Sequence, residues 1–183
     1  MKRIFALLLA VLMVISLVAC GNPKPDENSS VATHLVYDFK ENADKTPQEI
    51  ADLLLKNPAL QFMSATMPVE EGYLNGFDNV EIKGFDEGVM FGPAIGTIPF
   101  VGYVFDLSDG TDVDAFKQTL EDNANLRFNI CTEADEVVVE SDGDKVIVII
   151  SPEKFEETPE GAETPMVIDG QEFDDEFDGE LIE

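Results

Sequence analysis

The run Lys145-Val146-Ile147-Val148-Ile149-Ile150 constrains the fold more than any other part of the chain. Successive side chains of an extended segment alternate between two faces, so Val146, Val148 and Ile150 go to one side and Ile147 and Ile149 to the other. A strand that is apolar on both sides belongs inside a sheet, and each face of that sheet needs a cover. Residues 136–140 form the partner strand. Ser141-Asp142-Gly143-Asp144 between them reads as a hairpin turn in which Gly143 supplies a positive φ.

Helical spacing shows what is available as cover. Thr46-Pro47-Gln48-Glu49 offers an N-cap, a proline at the first helical position and a glutamate able to close a capping box, followed by Ile50, Leu53 and Leu54 on one face. This predicts a helix over 46–56 that stops near Asn57-Pro58. Asp112 opens a second helix, with Val113, Phe116, Leu120 and Ala124 at steps of three and four, predicted over 112–127. A strand is expected over 98–107, and weaker ones over 62–69, 80–85 and 89–91. The expected architecture is α+β: a small antiparallel-rich sheet with the two capped helices packed on one face. Residues 92–97, or a partner, would then cover the other face. Apolar periodicity begins at residue 31 and ends at 151, and these bounds delimit one domain.

Charge narrows the function classes. The 183 residues include 38 Asp or Glu and 11 Lys or Arg, a formal charge of −27 that excludes nucleic-acid binding through a basic surface. The two cysteines, Cys20 and Cys131, allow neither a disulfide framework nor a four-cysteine zinc site.

At the N-terminus, Met1-Lys2-Arg3 precedes an apolar run over 4–19 that is broken only by Ser16. Sixteen helical residues reach about 24 Å, short of a hydrocarbon core of about 30 Å, so the segment reads as an export signal rather than a spanning anchor. Its last residues, Leu17-Val18-Ala19-Cys20, resemble the lipobox of bacterial lipoproteins. The resemblance implies cleavage between Ala19 and Cys20, a diacylglyceryl thioether on the Cys20 sulfur, and attachment to the outer face of the cell membrane. Two or more acyl chains hold stably, since each buried methylene contributes roughly 0.8 kcal/mol. The processed chain carries 9 basic residues against 38 acidic ones, or −29, and would stand off anionic head groups. Residues 20–30 then form the lipidated cysteine and a flexible tether.

The order of capped helix, strands, capped helix and hairpin behind a lipobox is similar to that of Gram-positive lipoproteins containing a domain of unknown function. The similarity is carried by residues 46–56, Gly102-Tyr103-Val104-Phe105-Asp106-Leu107, residues 112–127 and the stretch from Asn129 to Glu136. It implies a location and a fold and brings no catalytic motif.

Residues 152–183 hold 13 acids and a single base, Lys154, which predicts a disordered acidic tail. Phe173, Phe177 and Leu181 recur every fourth residue there and form a candidate partner-docking stripe.

Other chemistry is thinly represented. His34, the one histidine, reads as a solvated or edge-strand residue, and Cys131 as a buried small hydrophobe. Arg127 reads as the cation at the C-terminus of the second helix. Asp106, Asp109, Asp112 and Asp114 surround a turn and are a candidate Ca²⁺ set, although the EF-hand register is absent and helix capping accounts for the early carboxylates. The favoured function is a non-catalytic binding module with a basic protein partner and no cofactor. The alternatives are a divalent-cation (Ca²⁺) binding lipoprotein and a carboxylate-based hydrolase.

Overall fold

The computed structural model describes residues 24–94 and 97–155. The export signal, Ala19, Cys20 and the tail stripe Phe173, Phe177 and Leu181 lie outside the described residues. In chain order the elements are α1 (Val31–Glu41), α2 (Pro47–Leu54), β1 (Ser64–Val69), β2 (Gly72–Tyr73), β3 (Glu81–Ile82), β4 (Phe85–Pro93), β5 (Val101–Leu107), α3 (Val113–Asn123), β6 (Glu136–Asp142) and β7 (Lys145–Ser151).

Five strands form an antiparallel sheet in the order β1-β4-β5-β7-β6, and β2 and β3 form a separate two-stranded ribbon, so the fold is α+β. The hairpin is the predicted one, with Asp142 opposite Lys145 and Gly143 at φ 63°. β7 lies between β5 and β6, as its two apolar faces require.

The faces are covered differently from expectation. Ile147, Ile149 and Val104 meet Leu35 and Phe39 of α1 and Ile50 and Leu54 of α2. Val146, Val148, Tyr103 and Phe105 meet Phe116 and Leu120 of α3 together with Ile82 of β3. The two predicted helices therefore sit on opposite sides of the sheet, and neither residues 92–97 nor a partner is needed as a cover. The partner of α2 is α1, a helix that the sequence reading assigned no structure. Ser30 caps it by accepting from Thr33 N at 3.3 Å, and it buries Val31, Ala32, Leu35 and Phe39.

Because α1 starts at Val31, part of the expected tether is structured. Ser29 N donates to Asp26 O at 3.0 Å, and Val31 N donates to Glu153 O at 2.9 Å, tying the two ends of the domain together. Past β7, Phe155 packs on Phe62 edge to face, with centroids 5.3 Å apart, so the core extends beyond residue 151.

At α2 the capping box closes as the residue types dictate: Thr46 Oγ1 accepts from Glu49 N at 3.3 Å and Glu49 Oε2 accepts from Thr46 N at 3.1 Å. The donors on Thr46 hold the Glu49 carboxyl below the usual carboxylate range. Helix α3 is shorter than predicted. Beyond Asn123 the chain is captured by residues 76–78: Asp78 N donates to Asn123 O at 2.9 Å and Asn125 N to Gly76 O at 2.8 Å. The strand predicted from residue 98 starts at Val101, after Pro99, which has no N–H for a ladder.

Candidate functional site

Two of the four aspartates of the candidate cation set have separate structural tasks, and the other two are exposed. Asp106 lies in β5 opposite Lys145, whose Nζ is 3.1 Å from its Oδ2. Asp112 caps α3, its Oδ1 accepting from Ala115 N at 3.0 Å. Asp109 is exposed in the turn closed by Thr111 N donating to Ser108 O, and Asp114 is exposed on the first turn of α3. Among the described residues, no three His, Cys, Asp or Glu side chains converge to hold a metal ion.

His34 is on α1, not on an edge strand. Half-buried, it lines an open groove of about 250 Å³ with Glu27, Gln61, Lys154 and Phe155. Cys131, expected inside, is exposed, as is its neighbour Ile130. The reason is in the flanking anchors: Asn129 Nδ2 donates to Ile98 O at 2.9 Å, and Thr132 Oγ1 donates to Thr97 O at 2.6 Å. These bonds pin both sides of the loop to residues 97–98 and leave Ile130-Cys131 as its outward tip. Arg127 is not on a helix. It lies in the same loop, with Nε 3.3 Å from Glu133 Oε2.

A wider groove of about 510 Å³ is lined by Thr97, Ile98, Pro99, Thr132, Pro152 and Phe155. Glu133 and Lys154 also line it. Thr132 bonds Thr97 and Glu133 pairs with Arg127, so apart from the Lys154 ammonium its charged groups are engaged with the protein itself.

Among the described residues, Tyr103 is the titratable group held deepest in the core. It is 1% exposed, stacks on Phe105 and donates its hydroxyl to Asn75 O at 2.8 Å. Burial pushes the phenol well above its ordinary value, because the phenolate would lose water with only a carbonyl opposite it. The group binds its proton more tightly when folded. Its contribution to stability is complete below the unfolded value of about 10 and is lost as pH rises above it. Tyr103→Phe should cost about 1 kcal/mol at pH 8, through the orphaned Asn75 carbonyl, and should flatten the fall in stability between pH 9 and 11. Urea midpoints of both proteins across that range test this; parallel curves would show that Tyr103 is not the titrating group.

The described residues carry 26 Asp or Glu against 9 Lys or Arg, and several of those cations are paired. Lys40 of α1 bonds Glu140 of β6 at 2.8 Å, Lys145 pairs with Asp106, and Lys83 pairs with Glu81. The Lys40–Glu140 pair, which ties α1 to the sheet edge, escaped the sequence reading because its members are 100 positions apart. No helix among the described residues is long and apolar enough to cross a membrane. Comparison with protein-family models, curated proteins and solved structures finds no match.

Proposed function

We propose that this chain is an extracytoplasmic lipoprotein, anchored through Cys20 to the outer face of a bacterial cell membrane, that displays an acidic α+β domain as a non-catalytic binding module for a basic protein. The observation that carries the reading is the placement of Leu17-Val18-Ala19-Cys20 directly behind a basic start and an apolar run of sixteen residues. The spacing of the domain suits such an anchor. From Cys20 to the turn at Asp26 the extended chain spans at most about 20 Å, which holds the domain near the bilayer while its charge keeps it off the head groups.

The binding half of the proposal draws on how the reactive residue types are used. His34 lies on a helix and lines a groove with Lys154 and Phe155, Cys131 lies on an exposed loop tip, and of the aspartates around the turn Asp112 caps a helix and Asp106 pairs with lysine. A surface of this sign attracts basic partners over a Debye length and does so less at high salt.

Mass spectrometry of the mature protein tests the anchor. The expected N-terminal residue is Cys20 bearing a diacylglyceryl group, and Cys20→Ala should abolish the modification and move the domain out of the membrane fraction or trap it as precursor. An unmodified sulfur at Cys20 would refute the proposal.

A further inference from the structure

The sheet has two edges, and they are finished in different ways. β1 carries an exposed proline, Pro68, which removes a donor from the outer side of that strand, and Gln48 of α2 reaches over it to donate to Thr66 Oγ1 at 2.9 Å. β6 has no proline, although Lys40 of α1 bonds its Glu140 side chain as Gln48 bonds Thr66 on β1. It pairs with β7 in unbroken register over seven residues, from Glu136 opposite Ser151 to Asp142 opposite Lys145, with no proline, lysine or bulge. Leu107 N donates to Asp144 O, which fixes the even-numbered residues of β7 as those bonding β5 and the odd-numbered ones as those bonding β6. On β6 the N–H and C=O groups of Glu136, Val138, Glu140 and Asp142 therefore face β7. Those of Val137, Val139 and Ser141 face outward, and among the described residues they have no hydrogen-bond partner.

We infer that β6 is a docking edge that takes an extended basic segment of a partner protein as a sixth strand of the sheet. This rests on the binding-module reading above and gives it a site and a geometry. Three outward residues, each offering a donor and an acceptor, supply up to six main-chain bonds. The side chains set the preference. Glu136, Val138, Glu140 and Asp142 line one face of β6, with Glu140 already paired with Lys40, and Val137, Val139 and Ser141 line the other, where Val139 is buried against the α3 side of the core. An incoming strand with basic residues at alternate positions and β-branched residues between them matches both faces. Glu136 Oε1 and Ser151 Oγ, on residues directly opposite in the β6–β7 ladder, are both enclosed without a hydrogen-bond partner among the described residues, so the Glu136 carboxylate adds an uncompensated negative charge at this end of the edge.

Charge also sorts the other occupants. In a second copy paired antiparallel about Val139, Glu136 would lie opposite Asp142 twice, and like charges directly opposite are destabilising. The chain's own residues 156–183 carry 12 acids and no base, and up to Phe155 the chain leads onto Phe62 and Phe100, not along β6.

The test uses the mature chain purified from membranes and two acetylated octapeptides, one alternating Lys with Val and the other alternating Glu with Val. Amide hydrogen exchange is read by NMR at low salt. The Lys-Val peptide should slow exchange at Val137, Val139 and Ser141, and the Glu-Val peptide should not. Ser141→Pro removes one outward donor and leaves the β7 ladder intact, and it should weaken binding about tenfold. Glu136→Gln, which preserves shape, should weaken binding of the Lys-Val peptide and reduce its salt dependence, so the test does not depend on the proline variant folding. Binding that leaves those three amides unchanged, or equal binding of both peptides, would overturn the inference while leaving the lipid anchor untouched. So would protection of the same amides in the free chain that rises with protein concentration, which assigns the edge to a second copy. Protection in the free chain that is lost on truncation after Phe155 would assign the edge to the tail.

Discussion

Replacing Gly102 by alanine is expected to destabilise the domain by about 3 kcal/mol, the upper part of the range for overpacking a close-packed core. Gly102 lies in β5, the middle strand, opposite Phe91 of β4, and the Phe91 ring lies flat over the space a side chain would occupy. A methyl group there would sit 2.6 Å from Phe91 Cε1 and Cε2 and closer still to Cζ. Phe91 cannot swing aside cheaply, since it is 0% exposed and packed against Phe100 with ring centroids 5.8 Å apart. A loss of this size is a large share of the roughly 5–15 kcal/mol that a domain has in total. Urea unfolding followed by circular dichroism measures it. The mechanism has its own signature in a double-mutant cycle: Phe91→Leu, costly alone, should recover part of the loss in the Gly102→Ala background, because the smaller side chain vacates the contested volume. Strictly additive costs would show that the two residues do not compete for space.

Phe105→Ala should cost about 3–5 kcal/mol and bring the protein close to unfolding at ambient temperature. The Phe105 ring is fully buried and is the hub of the aromatic group on the α3 side of the sheet. It stacks on Tyr103 at 5.6 Å, tilts against Phe85 at 4.8 Å and meets Phe116 edge to face at 5.4 Å. Removing it opens a void that three neighbours line and that cannot close without moving both the central strand and α3. Phe105→Leu keeps most of the volume and should lose less than half as much. Thermal and urea unfolding of the two variants separate the cases; equal losses would mean that ring-specific contacts, rather than the cavity, set the cost.

Where the sequence reading succeeded, the signal was local. Thr46 and Glu49 are three residues apart and must meet if a helix forms at all, and Asp142-Gly143-Asp144 leaves a chain few ways to turn between two apolar strands. It failed where a residue's place depends on a distant neighbour. Helix α1 was legible in principle, since Ser30 stands before Val31, Leu35 and Phe39 at steps of four. The polar residues around it, His34, Asp38 and Lys40, and the adjoining Pro- and Ser-bearing segment hid the pattern. Cys131 was misplaced because Ile130 beside it looked like core, whereas side-chain bonds from Asn129 and Thr132 to residues 97–98 turn that apolar pair outward. The aspartates of residues 106–114 share a turn in sequence, yet Lys145 claims one and the N-terminus of α3 another.

The amino-acid order by itself determined that β7 must be enclosed on both sides, that two capped helices exist and that the chain is strongly acidic, because these follow from side-chain period, from bonds spanning a few residues and from a count. Only the tertiary structure decided which helix covers which face and which strands form the two edges of the sheet. Those choices are made by burial and strand pairing between segments tens of residues apart, where one apolar stripe fits either side of a sheet equally well until the rest of the chain has taken its place.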